Sequence, residues 1–276
     1  FDKHLHPAVL DFNDQNVYEN VYHAGKWAGV FQCTSRGAQQ LFENGKPRSI
    51  VDIAALTSIY RPGPMAAKVD KMYVKAKNNP ETVTYDHPLL KQVLEPTYGY
   101  IIFQEQLMKL GAVVGGLDPS QCDRLRKVLT KKTMSGGDKR AVEAAKLKEL
   151  FIKGAVERGM DEPEAEKLID TMAYFSGYGF NMAHAVSYAI DSYWCAWLLN
   201  YYPDQWVCAY IETMIGSDDK RAKALSEIRG FGYDVVNIDV NKVTDRWMNL
   251  GDGKLMPSLN TVKGVGDAAV AELMAR

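Results

Sequence analysis

Apolar residues recur at helical spacing over most of the chain, and only a few short runs carry a strand pattern. A short apolar run at 28–32 leads into a helix over Ala38–Glu43, which Asn44-Gly45 and Pro47 end. Ser49 is placed to cap a helix from Val51 to Tyr60, and Arg61-Pro62-Gly63-Pro64 stops it, since two prolines cannot continue a helix. Tyr98-Gly99-Tyr100-Ile101-Ile102-Phe103, rich in aromatic and β-branched residues, is the best strand candidate. A helix follows from Gln104 to Val114, and Gly115-Gly116 breaks it. Asp118-Pro119-Ser120 opens the next one. Residues 139–159 and 161–175 read as two amphipathic helices, and 183–200 as a long apolar helix that Pro203 closes. Beyond residue 216 the pattern gives a surface helix over Asp218–Arg229, a strand over Asp234–Ile238 and a turn-rich hairpin over 244–260. With about ten helices and few strands, the fold class is mainly α with minor β.

The 276 residues suffice for one large domain, or one domain and part of another. The composition is 46% hydrophobic and 24% charged, which is globular and excludes wholesale disorder. Four widely spaced cysteines, without a C-x-x-C, argue against a disulfide scaffold or zinc finger and fit a reducing, cytoplasmic compartment. No apolar run reaches the roughly 20 residues of a membrane span, and no signal peptide is read at the start. The chain opens on Phe1 rather than Met, as a piece of a longer protein would.

Net charge is −1, which excludes a uniformly basic protein, but the cations are segregated. Residues 121–160 hold eleven Lys and Arg against five acids. On a helix, Arg124, Lys127 and Lys131 share a face, while Arg126 lies about 100° from Lys127. Such neighbours either form a solvated surface or grip a polyphosphate from two sides. Gly177-Tyr178-Gly179-Phe180-Asn181 permits a tight turn and close approach of a ligand. It precedes a polar stripe of His184, Ser187, Tyr188 and Asp191, which either satisfies itself in the core or faces a ligand. Lys263-Gly264-Val265-Gly266, leading into an Ala-rich segment, has the form of a helix-hairpin-helix turn whose amides bind a DNA phosphate; an ordinary glycine-rich helix start competes. No P-loop, D-x-D or H-x-x-x-H is present, and no catalytic or metal-binding carboxylate cluster can be assembled.

Five motifs follow one another: Val30-Phe31-Gln32 with Ser35-Arg36-Gly37, Tyr60-Arg61-Pro62-Gly63-Pro64, Glu95-Pro96-Thr97-Tyr98-Gly99 running into Gln104-Glu105-Gln106, Leu125-Arg126-Lys127 with Lys131-Lys132, and Gly177-Tyr178-Gly179-Phe180-Asn181 with His184. In this order they resemble the fingers region of the catalytic alpha subunit of bacterial replicative DNA polymerase III, a C-family polymerase. The resemblance covers about residues 10–276. It implies a connector from the palm over 1–24, a helical fingers domain over 25–205 and the N-terminal part of a helix-hairpin-helix domain over 206–276.

By the same resemblance, Arg126, Lys127, Lys131 and Lys132 hold the triphosphate of an incoming dNTP, and Tyr178, Phe180, Asn181 and His184 line the nascent base pair. Lys263, Gly264 and Gly266 meet the DNA backbone. The family's catalytic aspartates and their Mg2+ belong to the palm, in the same polypeptide or another. Asp2 does not match them, because the helix expected between it and Val30 is lacking. Primer–template DNA, dNTP and a sliding clamp are the implied partners, and the isolated chain is expected to be inactive. Three departures fit a divergent, viral member: Arg126-Lys127 for two arginines, Asn181-Met182-Ala183-His184 for Asn-Lys-Ser-His, and Thr130 for a glycine. Two rivals stand beside this reading: a non-catalytic nucleic-acid-binding module with the fingers fold, and a helical scaffold whose basic stripe meets an acidic partner.

Overall fold

The computed structural model describes residues 5–130, 138–214, 217–242 and 244–275, the side chains of 130, 138–140 and 218 excepted. Among them 65% of the structure is helical and 4% strand, with fourteen α-helical segments, so the chain is mainly α. It divides into two compact units: Asn44–Ile190, and Phe1–Glu43 together with Asp191–Arg276.

The first unit opens with the helix Ile50–Ile59, which Ser49 caps by accepting the Asp52 amide at 3.1 Å. The prolines end that helix and then begin a short one, Pro62–Ala66, because proline suits the first helical turn. The same unit holds a buried ionic cluster. Asp52 and Lys77, 2% and 4% exposed in their side chains, pair at 3.4 Å. Asp52 also accepts the hydroxyls of Tyr98 (3.1 Å) and Tyr73 (3.4 Å) and the Arg48 amide (2.8 Å). Lys77 donates its remaining reach to the Lys46 carbonyl at 2.8 Å.

Four helices build the main core of this unit: Gln104–Val113, Pro119–Thr130, Asp138–Glu157 and Glu162–Ser176. Leu107, Leu110, Leu125, Phe151, Ile169 and Met172 fill it. Asp118 and Gln121 cap the second helix reciprocally, each side chain accepting the other's amide, at 2.8 and 2.9 Å. Backbone meets backbone at Gly154, where an added Cβ would stand 1.9 Å from the Gly115 carbonyl oxygen.

The strand expected over Tyr98–Phe103 is replaced by a turn. Glu95–Thr97 is a 3-10 turn, Tyr98 and Gly99 take positive φ of 52° and 88°, and only Phe103 makes a β-bridge, to Phe180. The reason is the buried Gln106. Its Oε1 accepts the amides of Ile102 (2.9 Å) and Phe103 (3.0 Å), and its Nε2 donates to Thr97 Oγ1 at 2.6 Å. Thr97 Oγ1 in turn donates to the Tyr100 carbonyl. A side chain thus takes the place of a neighbouring strand.

The second unit is held by aromatic rings. Residues Gln15–Val17 form a helical turn that widens into a π-helical turn over Tyr18–His23, with Val17, Tyr18, Val21 and Tyr22 fully buried. Tyr22 stacks on Phe42 at 5.8 Å and shares a hydrogen bond with Ser192 at 3.0 Å. The surface helix Asp218–Arg229 forms as expected. The strand read over 234–238 shortens to Asp234–Val235, which pairs parallel with Lys254–Met256. Lys254–Met256 closes the expected hairpin with Met248–Asn249. Leu259–Thr261 is a 3-10 turn, after which Gly264 (φ +90°) turns the chain toward the helix Asp267–Met274. Lys263, Gly264 and Gly266 are all exposed there. All four cysteines are free thiols.

Candidate functional site

Four sequence motifs far apart in the chain meet within the Asn44–Ile190 unit, at the loop that joins the helix Glu162–Ser176 to the helix beginning at Met182. The loop is anchored on both edges of its backbone. The Phe180 amide donates to the Ile102 carbonyl at 3.0 Å, and the Gln104 amide donates to the Phe180 carbonyl at 2.9 Å. Gly179 lies against the Gln104 stem, where an added Cβ would come within 3.1 Å of Cγ.

Arg61 holds the loop from a second side. Its guanidinium donates to the Tyr178 carbonyl at 2.6 Å and the Ser58 carbonyl at 2.7 Å, and stands over the Phe180 ring at 4.5 Å. Burial lowers its pKa from the usual arginine value, as expected for a cation partly removed from water. Tyr178 packs its ring against Gly63, so close that a Cβ there would meet it at 2.9 Å. Glu105 fixes the far end, accepting the Asn181 side-chain amide at 3.1 Å and the Met182 backbone amide at 2.8 Å. Asn181 caps the following helix through the His184 amide at 2.8 Å. His184 then sits between the rings of Phe180 (5.4 Å) and Tyr188 (4.2 Å). His184, Ser187 and Asp191 of the polar stripe are exposed, which overturns the reading of that stripe as a buried, self-satisfied network.

The cations join the same framework. Arg126 donates to Asp123 at 2.8 Å and to the Gln104 side-chain oxygen at 3.3 Å. Lys127 pairs with the other Asp123 oxygen at 2.6 Å. Hydrogen bonds from Lys127 and then Arg126 hold the Asp123 carboxyl below its usual pKa. Arg124, which helical periodicity groups with Lys127, instead reaches across to Glu143 at 3.7 Å. Lys131, Lys132 and Asp2 lie outside the described residues.

The structure therefore brings Arg126 and Lys127 into the same hydrogen-bonded frame as Tyr178, Phe180, Asn181 and His184. Arg61, Gln104, Glu105 and Asp123 were present in the sequence as motif letters or as a counted charge, with no role attached. For Asp123 a signal existed, since an acid three and four residues before two cations faces both on a helix. For Arg61 none did, because its partner carbonyl is 117 positions away. Among the described residues, no three His, Cys, Asp or Glu are grouped as metal ligands would be, and no helix is long and apolar enough to cross a membrane.

Residues 2–159 match the family described as bacterial DNA polymerase III alpha subunit finger domain. Curated relatives named DNA polymerase III subunit alpha include that of Aquifex aeolicus, 36% identical over 94% of this chain and 21% of the relative. That of Borreliella burgdorferi is 34% identical over 94% and 22%, and that of Vibrio cholerae 31% over 96% and 23%. The chain thus spans about a fifth of the length of the relatives it matches. With more than half of its residues inside one family match, the chain belongs to the bacterial DNA polymerase III alpha subunit finger-domain family.

Proposed function

We propose that this chain is the nucleotide-binding fingers portion of a DNA-directed DNA polymerase that works in DNA replication in the cytoplasm. The observation that carries this reading is the convergence of a paired cation, Arg126 with Lys127, and an aromatic loop, Tyr178 to His184, on one rigid frame. Clustered cations suit a polyphosphate, and flat rings beside a glycine turn suit a base pair. Arg126 and Lys127, with Lys131 and Lys132, take the triphosphate of the dNTP; Tyr178, Phe180, Asn181 and His184 form the wall of the nascent pair. Lys263, Gly264 and Gly266 contact the backbone of the primer–template as the start of a helix-hairpin-helix domain over 206–276. The whole enzyme, a nucleotidyltransferase, joins the primer 3′-hydroxyl to the dNTP α-phosphate and releases pyrophosphate. Its Mg2+ is assigned to carboxylates of a palm outside this chain, so no metal step is placed here, and the chain alone is inactive. A sliding clamp is its expected companion.

The test is steady-state incorporation by the intact polymerase. A charge-assisted contact contributes about 1.5–3 kcal/mol. Both cations already share Asp123. Arg126→Ala is therefore expected near the lower end, raising KM for dNTP about tenfold, with Lys127→Ala below it. Lys148, which pairs with Asp170 at 3.3 Å on the neighbouring helix, is the control. If Lys148→Ala costs as much as Arg126→Ala, or if the site variants lose DNA affinity and keep normal dNTP dependence, the basic stretch is a duplex-binding face.

A further inference from the structure

We propose that Gln104 is a positioning residue that couples the hold on the triphosphate to the seating of the base, so that the cations feel whether the pair fits. This rests on the nucleotide-binding reading of Arg126 and of the 177–184 loop. The Gln104 side chain has two partners of opposite character. Its Nε2 donates to the Gly179 carbonyl at 3.1 Å, and its Oε1 accepts from the Arg126 guanidinium at 3.3 Å. Arginine only donates and a carbonyl only accepts, so the two contacts together fix which way the amide points. Its backbone amide also donates to the Phe180 carbonyl, which ties the same residue to the loop twice.

Motion at either end is transmitted because both ends are already constrained. Phe180 is held by the bridge to Phe103 and lies under Arg61, so a misfitting pair that displaces its ring moves the Gly179–Phe180 backbone. That backbone has no slack toward Gln104, since Gly179 packs on the Gln104 stem. At the other end Arg126 is held between Asp123 and Gln104, so a shifted amide re-aims the guanidinium. Coupling of this kind is reciprocal: a well-held triphosphate stiffens the loop as much as a well-seated pair steadies the arginine.

Gln104→Met keeps the stem and removes both contacts, whereas Gln104→Glu keeps the acceptor for Arg126 and loses the donor to Gly179. Single-nucleotide incorporation by the intact polymerase, with correct and mismatched dNTP, separates the roles. Gln104→Met is expected to raise KM for the correct dNTP about tenfold, to change the mismatched reaction less, and so to lower discrimination about fivefold, with kcat nearly unchanged. Gln104→Glu is expected to lose discrimination by a similar factor with a smaller rise in KM, which keeps the proposal testable if the Met variant folds poorly. Arg126→Ala combined with Gln104→Met should cost less than the product of the single effects. Discrimination and KM within twofold of the parent in both Gln104 variants, while Arg126→Ala raises KM, overturns the coupling and leaves the site reading intact. An unchanged KM in Arg126→Ala overturns both.

Discussion

Arg61 offers the sharpest separation of fold from function, because one guanidinium serves the scaffold through Ser58 and the loop through Tyr178 and Phe180. Arg61→Met removes two short charge-assisted hydrogen bonds and a cation–π contact. Such bonds contribute about 1.5–3 kcal/mol each, and the lower figure applies at a partly exposed site where water replaces part of the loss. Adding about 0.5–1 kcal/mol for the ring contact gives a total near 3.5–4 kcal/mol. Only the Tyr178 bond and the ring contact act on the loop, about 2–2.5 kcal/mol, which corresponds to a fall of about 30- to 70-fold in kcat/KM for dNTP. Arg61→Lys retains the charge but lacks the fork, and should forfeit about half of that contribution, roughly 2 kcal/mol. Thermal unfolding and single-nucleotide incorporation by the intact polymerase measure the two effects. A lysine variant equal to the parent in both assays would refute the geometric argument. A methionine variant that melts early yet keeps its kcat/KM would reduce Arg61 to a scaffold residue and would count against the loop as the nucleotide's seat.

Lys77→Met strands the Asp52 carboxylate among two tyrosine hydroxyls and one amide, and should cost about 3–5 kcal/mol in urea unfolding. Asp52→Asn on top of it should recover part of that loss, and a double variant as weak as the sum of the singles would refute the pairing. Gly154→Ala places a methyl against the Gly115 carbonyl and should lower stability by up to about 3 kcal/mol, read as a fall in melting temperature; an unchanged melting temperature would show that the two backbones do not approach as described.

What could be read ahead of the structure was local. Ser49 and Asp118 announce helix starts within four residues of the groups they satisfy, and the helices 162–176 and 182–201 lie where apolar spacing put them. The cations and aromatic loop were legible as residue types, and their order along the chain carried the family. What was not legible depended on partners distant in sequence or on a competing local bond. Tyr98–Phe103 has strand chemistry in every residue but one, yet Gln106 intercepts its amides. Gly115 reads as an ordinary helix breaker and Gly154 as one more position of the helix read over 139–159, until the two backbones are seen to touch. The frame around the candidate site is of the first kind, since Arg61, Gln104 and Glu105 each act on a carbonyl or amide more than 70 positions away.

The Gln106 amide has a further consequence, for the unfolded chain and its neighbours. Tyr-Gly-Tyr-Ile-Ile-Phe is uncharged, apolar and free of proline, a composition that pairs readily with copies of itself when its backbone is open. In the folded unit the amides of Ile102 and Phe103 are occupied by a side chain three or four residues downstream, so no other chain can add a strand there. Protection is thus encoded within about ten residues and can form with the first turn of the Gln104–Val113 helix, before the distant helices that bury the segment have arrived. A sticky segment is guarded by its own sequence neighbour rather than by the completed fold.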